Sequence, residues 1–596
     1  MHIPKKQTFQ ALLKNSIALY ADRPALAFVG ETALTYSDVN SKVNHLQALL
    51  AARGVDKGDR IVLLSQNMPN WGIAYLAVTG MGAVVVPVLT DFSQEEIAKI
   101  IAHSAPVCVI VSEKQSVKLH QSLPDSLKTA VLIDDFTEIS LGALEHTGKI
   151  NKLEWDRSIH VESVEVLLPQ PEENDLAAIL YTSGTTGNPK GVMLSHRNII
   201  SNAINTLGIQ NVDLNDVLLS VLPLPHTYEC TIGFIIPFMR GAVVNYLNAL
   251  PTPAVLLPAL QKIRPTMMLT VPLIIEKIYK NKVVAKFNGS PLLRNISKYR
   301  PVRKVLHKIA GRKIYKAFGG RLHFFGIGGA KLDPVTEMFL RDAGFPYAIG
   351  YGLTETSPLL AGCSPGLTRH QSAGFNIPGQ EVKILNPDPK TGEGEIIARG
   401  PNVMMGYYKE PDITRGVFTE DGWFKTGDLG CFDEDGYLYI KGRIKNIILS
   451  ASGENIYPED IEAVINGEHS VVESLVYEWK GKLVARVHLN YEEIDKRYHE
   501  VKELADQHYH DLKLSADQKY HEMKESAGQS YQEFKDSASQ MYEQIQEKVA
   551  NRLETIKERV NARLNRYSKL AVIVEQQEPF EKTPTKKIRR FLYLQD

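Results

Sequence analysis

Cysteine is scarce: Cys108, Cys230, Cys363 and Cys431 are the four in 596 residues, far apart and in no CxxC or metal-ligand spacing. A disulfide-stapled fold and a thiolate metal site are therefore excluded, and reduced thiols in a cytoplasmic protein are expected. Net charge is lacking too. Lys+Arg and Asp+Glu balance at 68 each, so no global field points to nucleic acid or to an anionic membrane. The first residues, Met1-His2-Ile3-Pro4-Lys5-Lys6, hold no apolar signal core. One stretch imitates a membrane span, because Gly72 to Leu89 carries no charged residue. Gly80, Gly82 and Pro87 interrupt it and Ala83-Val84-Val85-Val86 is rich in β-branched residues, so it reads as a buried helix followed by a core strand. What remains is length and an apolar fraction of 44%, enough for two or more globular domains.

The chain is organised around Tyr181-Thr182-Ser183-Gly184-Thr185-Thr186-Gly187-Asn188-Pro189-Lys190-Gly191. An apolar run, Leu176 to Leu180, leads in as a buried strand, and Ser195-His196-Arg197-Asn198 follows as a capped helix start. Glycines allow close backbone approach, and successive N–H groups in such a turn suit phosphate oxygens. Lys190 adds a point charge, but it does not directly follow a glycine and precede Ser or Thr as in the Walker form. An anion cradle and a flexible polar loop are the two readings.

From Lys57 to about Asp135 short β-branched runs alternate with helical segments, the rhythm of an α/β sheet with parallel neighbours. It returns at Asp216–Leu222, Thr266–Val271 and Arg321–Phe325. The last strand runs into Gly326-Ile327-Gly328-Gly329-Ala330-Lys331, a glycine-rich turn of the kind that faces ligands. Phe345–Ile349 ends in Gly350-Tyr351-Gly352-Leu353-Thr354-Glu355-Thr356. One carboxylate among hydroxyls suits a hard cation, and a capped turn is the bland alternative. Beyond Glu393 the pattern changes to short strands and tight turns, with a boundary at Lys441-Gly442-Arg443-Ile444-Lys445-Asn446. The expected architecture is α/β: a large N-terminal domain, 1–440, of mixed and parallel sheets with helices, and a small α+β C-terminal domain, 441–596.

These stretches, with Pro223-Leu224-Pro225-His226, Lys425–Gly430, Ser452–Glu462 and Pro584-Thr585-Lys586-Lys587-Ile588-Arg589-Arg590, stand in a characteristic order. The chain resembles the AMP-forming acyl-activating superfamily, most of all bacterial-type long-chain fatty acid–CoA ligases. That resemblance implies ATP, Mg²⁺ and coenzyme A as cofactors, a long-chain fatty acid as substrate and no nucleic-acid partner. By the same resemblance Thr182, Ser183, Gly184, Thr185, Thr186, Gly187 and Lys190 would hold the β- and γ-phosphates. Gly329, Ala330, Lys331, Tyr351, Gly352 and Thr354 would wrap the adenine side. Asp428 would take the ribose hydroxyls with Arg443 beside it, and Glu355 with Thr182 would hold Mg²⁺. Lys587 would contact the reacting carboxylate and α-phosphate, Lys445 would be the hinge of a mobile small domain, and Ser452-Gly453 would line the thiol tunnel. His226 would position the acyl carboxylate and not act as a base, since a carboxylate has no proton to remove; a lone histidine beside prolines is otherwise structural. Transfer to a carrier-protein thiol uses the same motifs and stays an alternative. A lipid-surface protein with a relict enzyme domain is the alternative from a different class.

Between Asn490 and Leu570 there is no proline, and Gly528 is the one glycine. Tyr498, Tyr509, Tyr520, Tyr531 and Tyr542 recur every eleven residues, and Leu553, Ile556, Val560 and Leu564 continue the phase. Eleven residues make three turns, so one stripe stays nearly straight along a helix. A helical insertion at 491–570 within the small domain is expected. Three readings compete for it: a self-associating or hairpin packing device, a peripheral membrane contact, or a solvated spacer. His499, His510 and His521 read as by-products of the repeat.

Overall fold

The computed structural model describes residues 4–120, 123–153, 169–182, 189–288, 290–449, 455–494, 528–583 and 587–594, without the side chains of 528–542 and three other positions. The chain divides into two compact units, Met1–Lys441 and Gly442–Asp596.

In the larger unit short apolar runs, rich in β-branched residues in the first sheet, form two sheets. Val84–Val88, Arg60–Leu64, Cys108–Val111 and Thr129–Leu132 lie side by side and parallel in an eight-stranded sheet. These four strands are buried almost throughout, as expected where helices cover both faces of a parallel sheet. The uncharged Gly72–Leu89 stretch resolves into helix Pro69–Gly80 and the central strand Val84–Val88. Gly72 is required there: a Cβ would come within 2.7 Å of the Phe234 ring. Among the described residues no helix is long and apolar enough to cross a membrane. The second sheet runs Tyr347–Ile349, Phe324–Ile327, Met267–Thr270, Val217–Ser220, Val243–Tyr246 and Pro24–Phe28, all parallel, with Leu34–Thr35 antiparallel at its edge. The α/β reading holds for both sheets. Beyond them an antiparallel sheet comprises Glu381–Leu385, Gly394–Arg399, Phe424–Phe432 and Leu438–Arg443.

One strand departs from the sequence reading. Lys190–Ser195, which reads as loop running into a helix start, is a strand paired antiparallel with Leu176–Thr182. The helix start at Ser195 is as expected: its side chain accepts from Asn198 N and Asn198 Oδ1 from Ser195 N, a capping box.

The smaller unit is α+β. Val471–Trp479 and Lys482–Leu489 form a hairpin, and Val572–Glu575 pairs parallel with the second strand. The helical insertion thus leaves the sheet and returns to it. Its described helix is Gly528–Arg563. Ile545, Val549, Leu553, Ile556 and Val560 are buried in one cluster with Ile461, Ile465, Val476 and Ala485. That part of the stripe is core of the small unit, which removes it from the lipid, self-association and spacer readings. Asn561 closes the return by donating to Leu570 O at 2.9 Å and accepting from Leu570 N at 2.8 Å. Residues 495–527, with Tyr498, Tyr509, Tyr520 and the periodic histidines, lie outside the described residues.

Candidate active site

Thr182 and Lys190 are direct partners in the antiparallel pair, which brings together the two ends of the glycine- and hydroxyl-rich segment. Ser183, Gly184, Thr185, Thr186 and Gly187 lie outside the described residues, as do Ser452 and Gly453.

The outer edge of this hairpin is taken by a segment two hundred residues away. Gly406-Tyr407 pairs antiparallel with Val192-Met193, and Tyr408 N donates to Gly191 O at 2.8 Å. A Cβ on Gly191 would meet Ile179, Tyr181 and Tyr408 within 3.3 Å, so only glycine admits this close pairing. Tyr407 then does two things. Its ring lies 5.6 Å from Lys190 Nζ, and its hydroxyl donates to Glu355 Oε1 at 2.9 Å. Met404 N donates to Glu355 O at 2.9 Å. Lys190 and Glu355, far apart in sequence, are thereby joined through one phenol. Tyr407 was not among the residues the motifs single out; the Gly406-Tyr407-Tyr408 triplet was the available signal, and in the fold Gly406 takes φ +139°.

The residues expected on the adenine side lie just beyond the C-terminal ends of two adjacent parallel strands, Phe324–Ile327 and Tyr347–Ile349. Gly329 takes φ +84°, and Ala330 and Lys331 follow exposed. Gly352 lies against the Pro358 carbonyl, where any Cβ would overlap. Tyr351 donates its hydroxyl to Asp428 Oδ2 at 2.7 Å, and Asp428 is buried on strand Phe424–Phe432. Thr354 opens the single turn that carries Glu355.

His226 sits half-buried, its carbonyl accepting from Cys230 N at 2.9 Å as the chain enters the π-helical segment Tyr228–Ile235. That segment touches both other parts. A Cβ on Gly328 would come within 3.2 Å of the Tyr228 ring, and Thr231 Oγ1 donates to Ser357 O at 3.1 Å. Glu229 in the same segment is 1% exposed, and burial pushes its carboxyl up to about 8. Its proton is thus held well above the usual carboxylate range.

In the smaller unit Arg443 and Lys445 are exposed at the turn Ile444–Asn446. Lys587 is exposed where Lys582 and Ile588 bridge: Thr583 N donates to Lys587 O at 2.7 Å and Lys587 N to Thr583 Oγ1 at 3.2 Å. Three residues on, Arg590 donates to Glu462 Oε2 at 2.5 Å and lies 3.6 Å from Glu459 Oε1.

The donor set for a cation is oxygen only. Glu355 has one carboxylate oxygen engaged by Tyr407, and Thr182 supplies a hydroxyl. Among the described residues no group of three His, Cys, Asp or Glu could hold a metal unaided. One carboxylate fits Mg²⁺, which keeps few protein ligands and fills its shell from phosphates and water.

The AMP-binding enzyme family model matches residues 13–408. Long-chain-fatty-acid–CoA ligase 5 of Rattus norvegicus is 31% identical over 477 residues, 74% of this chain and 69% of that protein. Long-chain-fatty-acid–CoA ligase FadD15 of Mycobacterium bovis is 29% identical over 475 residues, 75% of each. Two solved structures share the fold. ATP-bound MatB from Rhodopseudomonas palustris aligns with TM-score 0.69 and 21% identity over 98% of both chains. The o-succinylbenzoate CoA synthetase MenE of Bacillus subtilis, with ATP and magnesium, aligns with TM-score 0.69 and 21% identity over 98% of this chain and 99% of its own.

Proposed function

The chain belongs to the AMP-binding enzyme family, and from that premise we propose that it is an ATP-dependent long-chain fatty acid–CoA ligase working through an acyl-adenylate. The observation that carries the reading is the Lys190–Tyr407–Glu355 connection at the mouth of the Thr182–Lys190 hairpin, one cationic and one anionic group held at a phosphate-type turn.

The chemistry asks for such groups. A carboxylate is anionic and resonance-stabilised, and its attack on the α-phosphorus brings like charges together. Catalysis is then positioning and charge neutralisation. In the first step a carboxylate oxygen bonds to the α-phosphorus and the bond to pyrophosphate breaks. Lys190, the hairpin hydroxyls Thr182, Ser183, Thr185 and Thr186, and the backbone of Gly184 and Gly187 hold the leaving phosphates. Mg²⁺, when bound at Glu355 and Thr182, neutralises phosphate charge. Asp428 takes the ribose hydroxyls, its position fixed by Tyr351, while Gly329, Ala330, Lys331, Gly352 and Thr354 border the base. His226 orients the fatty carboxylate, and Lys587 with Arg443 brings positive charge to the reacting oxygen and nucleotide. In the second step the coenzyme A sulfur bonds to the acyl carbon, AMP leaves with the anhydride electrons, and the thiol proton is lost to solvent. Lys587 would stand in the way of the thiol, so the small unit, 441–596, turns about Lys445 and presents Ser452-Gly453 to the pantetheine. The 491–570 insertion rides on that unit.

A fatty-acid panel scored for pyrophosphate and for thioester, with coenzyme A and a carrier protein as rival acceptors, tests this. Pyrophosphate and acyl-CoA with long chains are expected. Thioester on the carrier protein alone would shift the acceptor, and no pyrophosphate with any acid would leave a relict enzyme.

A further inference from the structure

From Lys277 to Leu332 the chain holds fifteen Lys or Arg residues and no Asp or Glu, although its charges cancel overall. The centre of this run is helix Arg300–Ala317. Its inner face, His307, Gly311 and Ile314, is buried. Gly311 packs so closely on helix Pro334–Ala343 that a Cβ would meet that of Ala343. The opposite face presents Val302, Val305 and Ile309 at steps of three and four, exposed by 37%, 58% and 49%. Lys304, Lys308, Arg312 and Lys316 form an exposed row at steps of four along one flank of that stripe. Lys313 stands exposed on the other flank. Tyr299 and Leu292, each 69% exposed, prolong the apolar edge beyond the helix N-terminus. Arg303, turned towards the protein, lies 3.6 Å from Asp342.

We propose that this face is a docking surface for an anionic lipid bilayer. Its two components answer the two layers of such a membrane. Valine, isoleucine and leucine side chains enter the acyl boundary, while lysine and arginine stems reach up to lipid phosphates. Duplex nucleic acid would use the cations and leave Val302, Val305 and Ile309 facing charge and water. A second copy docked through the same face would set like charge against like charge. The contact is adsorption, since among the described residues no helix is apolar and long enough to cross. The surface belongs to the larger unit and does not involve the 491–570 insertion.

The full chain is sedimented, without substrates, with vesicles of phosphatidylcholine alone and of phosphatidylcholine with one third phosphatidylglycerol. Binding to the anionic vesicles only, lost at high salt, is expected. In K304Q/K308Q/R312Q/K316Q the binding constant should fall at least about tenfold, and in V305S/I309S severalfold. The replaced side chains are exposed, so circular dichroism and melting temperature should not move. Undiminished vesicle binding by both variants would place the contact elsewhere and overturn the proposal. So would absence of vesicle binding, or binding of duplex DNA in its stead. An effect of the charge variant with none from V305S/I309S would overturn the insertion of the apolar stripe.

Discussion

Glu229→Gln isolates the buried acid three residues after His226. Glu229 is 1% exposed in the π-helical segment, and a Cβ on Gly233 would sit about 3 Å from its carboxyl. Burial raises its pKa from 4.5 to about 8, with a hydrogen bond from Ser220 acting in the opposite direction. The sign follows from linkage. Between those two values the folded protein keeps a proton that the unfolded chain has released. Stability therefore falls as pH rises across that window, by about 1.4 kcal/mol per unit, and levels off above it. From pH 6 to 8 the loss is roughly 2–3 kcal/mol. For a unit of 441 residues an unfolding entropy near 2.1 cal/mol/K per residue makes about 1 kcal/mol equal to about 1 °C. Glutamine keeps the shape and does not titrate. The melting temperature of the parent minus that of E229Q, followed by scanning calorimetry, should drop by ~3 °C between pH 6 and 8. All other titrations are common to both proteins and cancel in the difference. A difference independent of pH would show that Glu229 is ionised in the fold and would refute the reasoning.

Tyr407→Phe removes the hydroxyl from Glu355 while keeping the ring near Lys190, so pyrophosphate release should fall about tenfold and need more Mg²⁺; an unchanged Mg²⁺ titration would sever Tyr407 from the site. Lys587→Ala should reduce adenylation by ~10²-fold or more and spare thiol transfer from preformed acyl-adenylate, whereas equal loss of both half-reactions would contradict its role. Arg590→Met leaves Glu462, 9% exposed, without its cation, and should cost the small unit about 3 kcal/mol in thermal unfolding. Replacing both, R590M/E462M, should recover most of that stability, and failure of the double variant to recover would mean that the pair is not the cause.

The parallel sheets were legible because their strands are short apolar runs buried on both faces, a pattern that survives without knowledge of partners. Lys190–Ser195 was not legible for the converse reason. Lys-Gly-Val-Met-Leu-Ser is six residues ending in a helix cap, and its strand character comes from the hairpin with Leu176–Thr182 and from Gly406-Tyr407. Tyr407 escaped for the same reason: a two-residue strand announces itself only through the edge it covers. Strand Phe424–Phe432 runs through Gly427, at φ +72°, which in sequence resembles a turn and in the fold lies within a register shift.

The eleven-residue repeat shows the same division between period and partner. A stripe of constant phase says that one face of a helix is apolar and says nothing of what covers it. From Ile545 to Val560 the answer is the small unit's own sheet and helix, since these side chains share a cluster with Ile461, Val476 and Ala485. Lengthening a helix in steps of eleven keeps its face in register with that anchored end. Insertion by repetition is thus compatible with an intact small domain, because the Asn561–Leu570 clasp returns the chain to strand Val572–Glu575 at the same place. The last turns of the helix, from Ile545 to Val560, are therefore part of the core of the unit that carries Lys587.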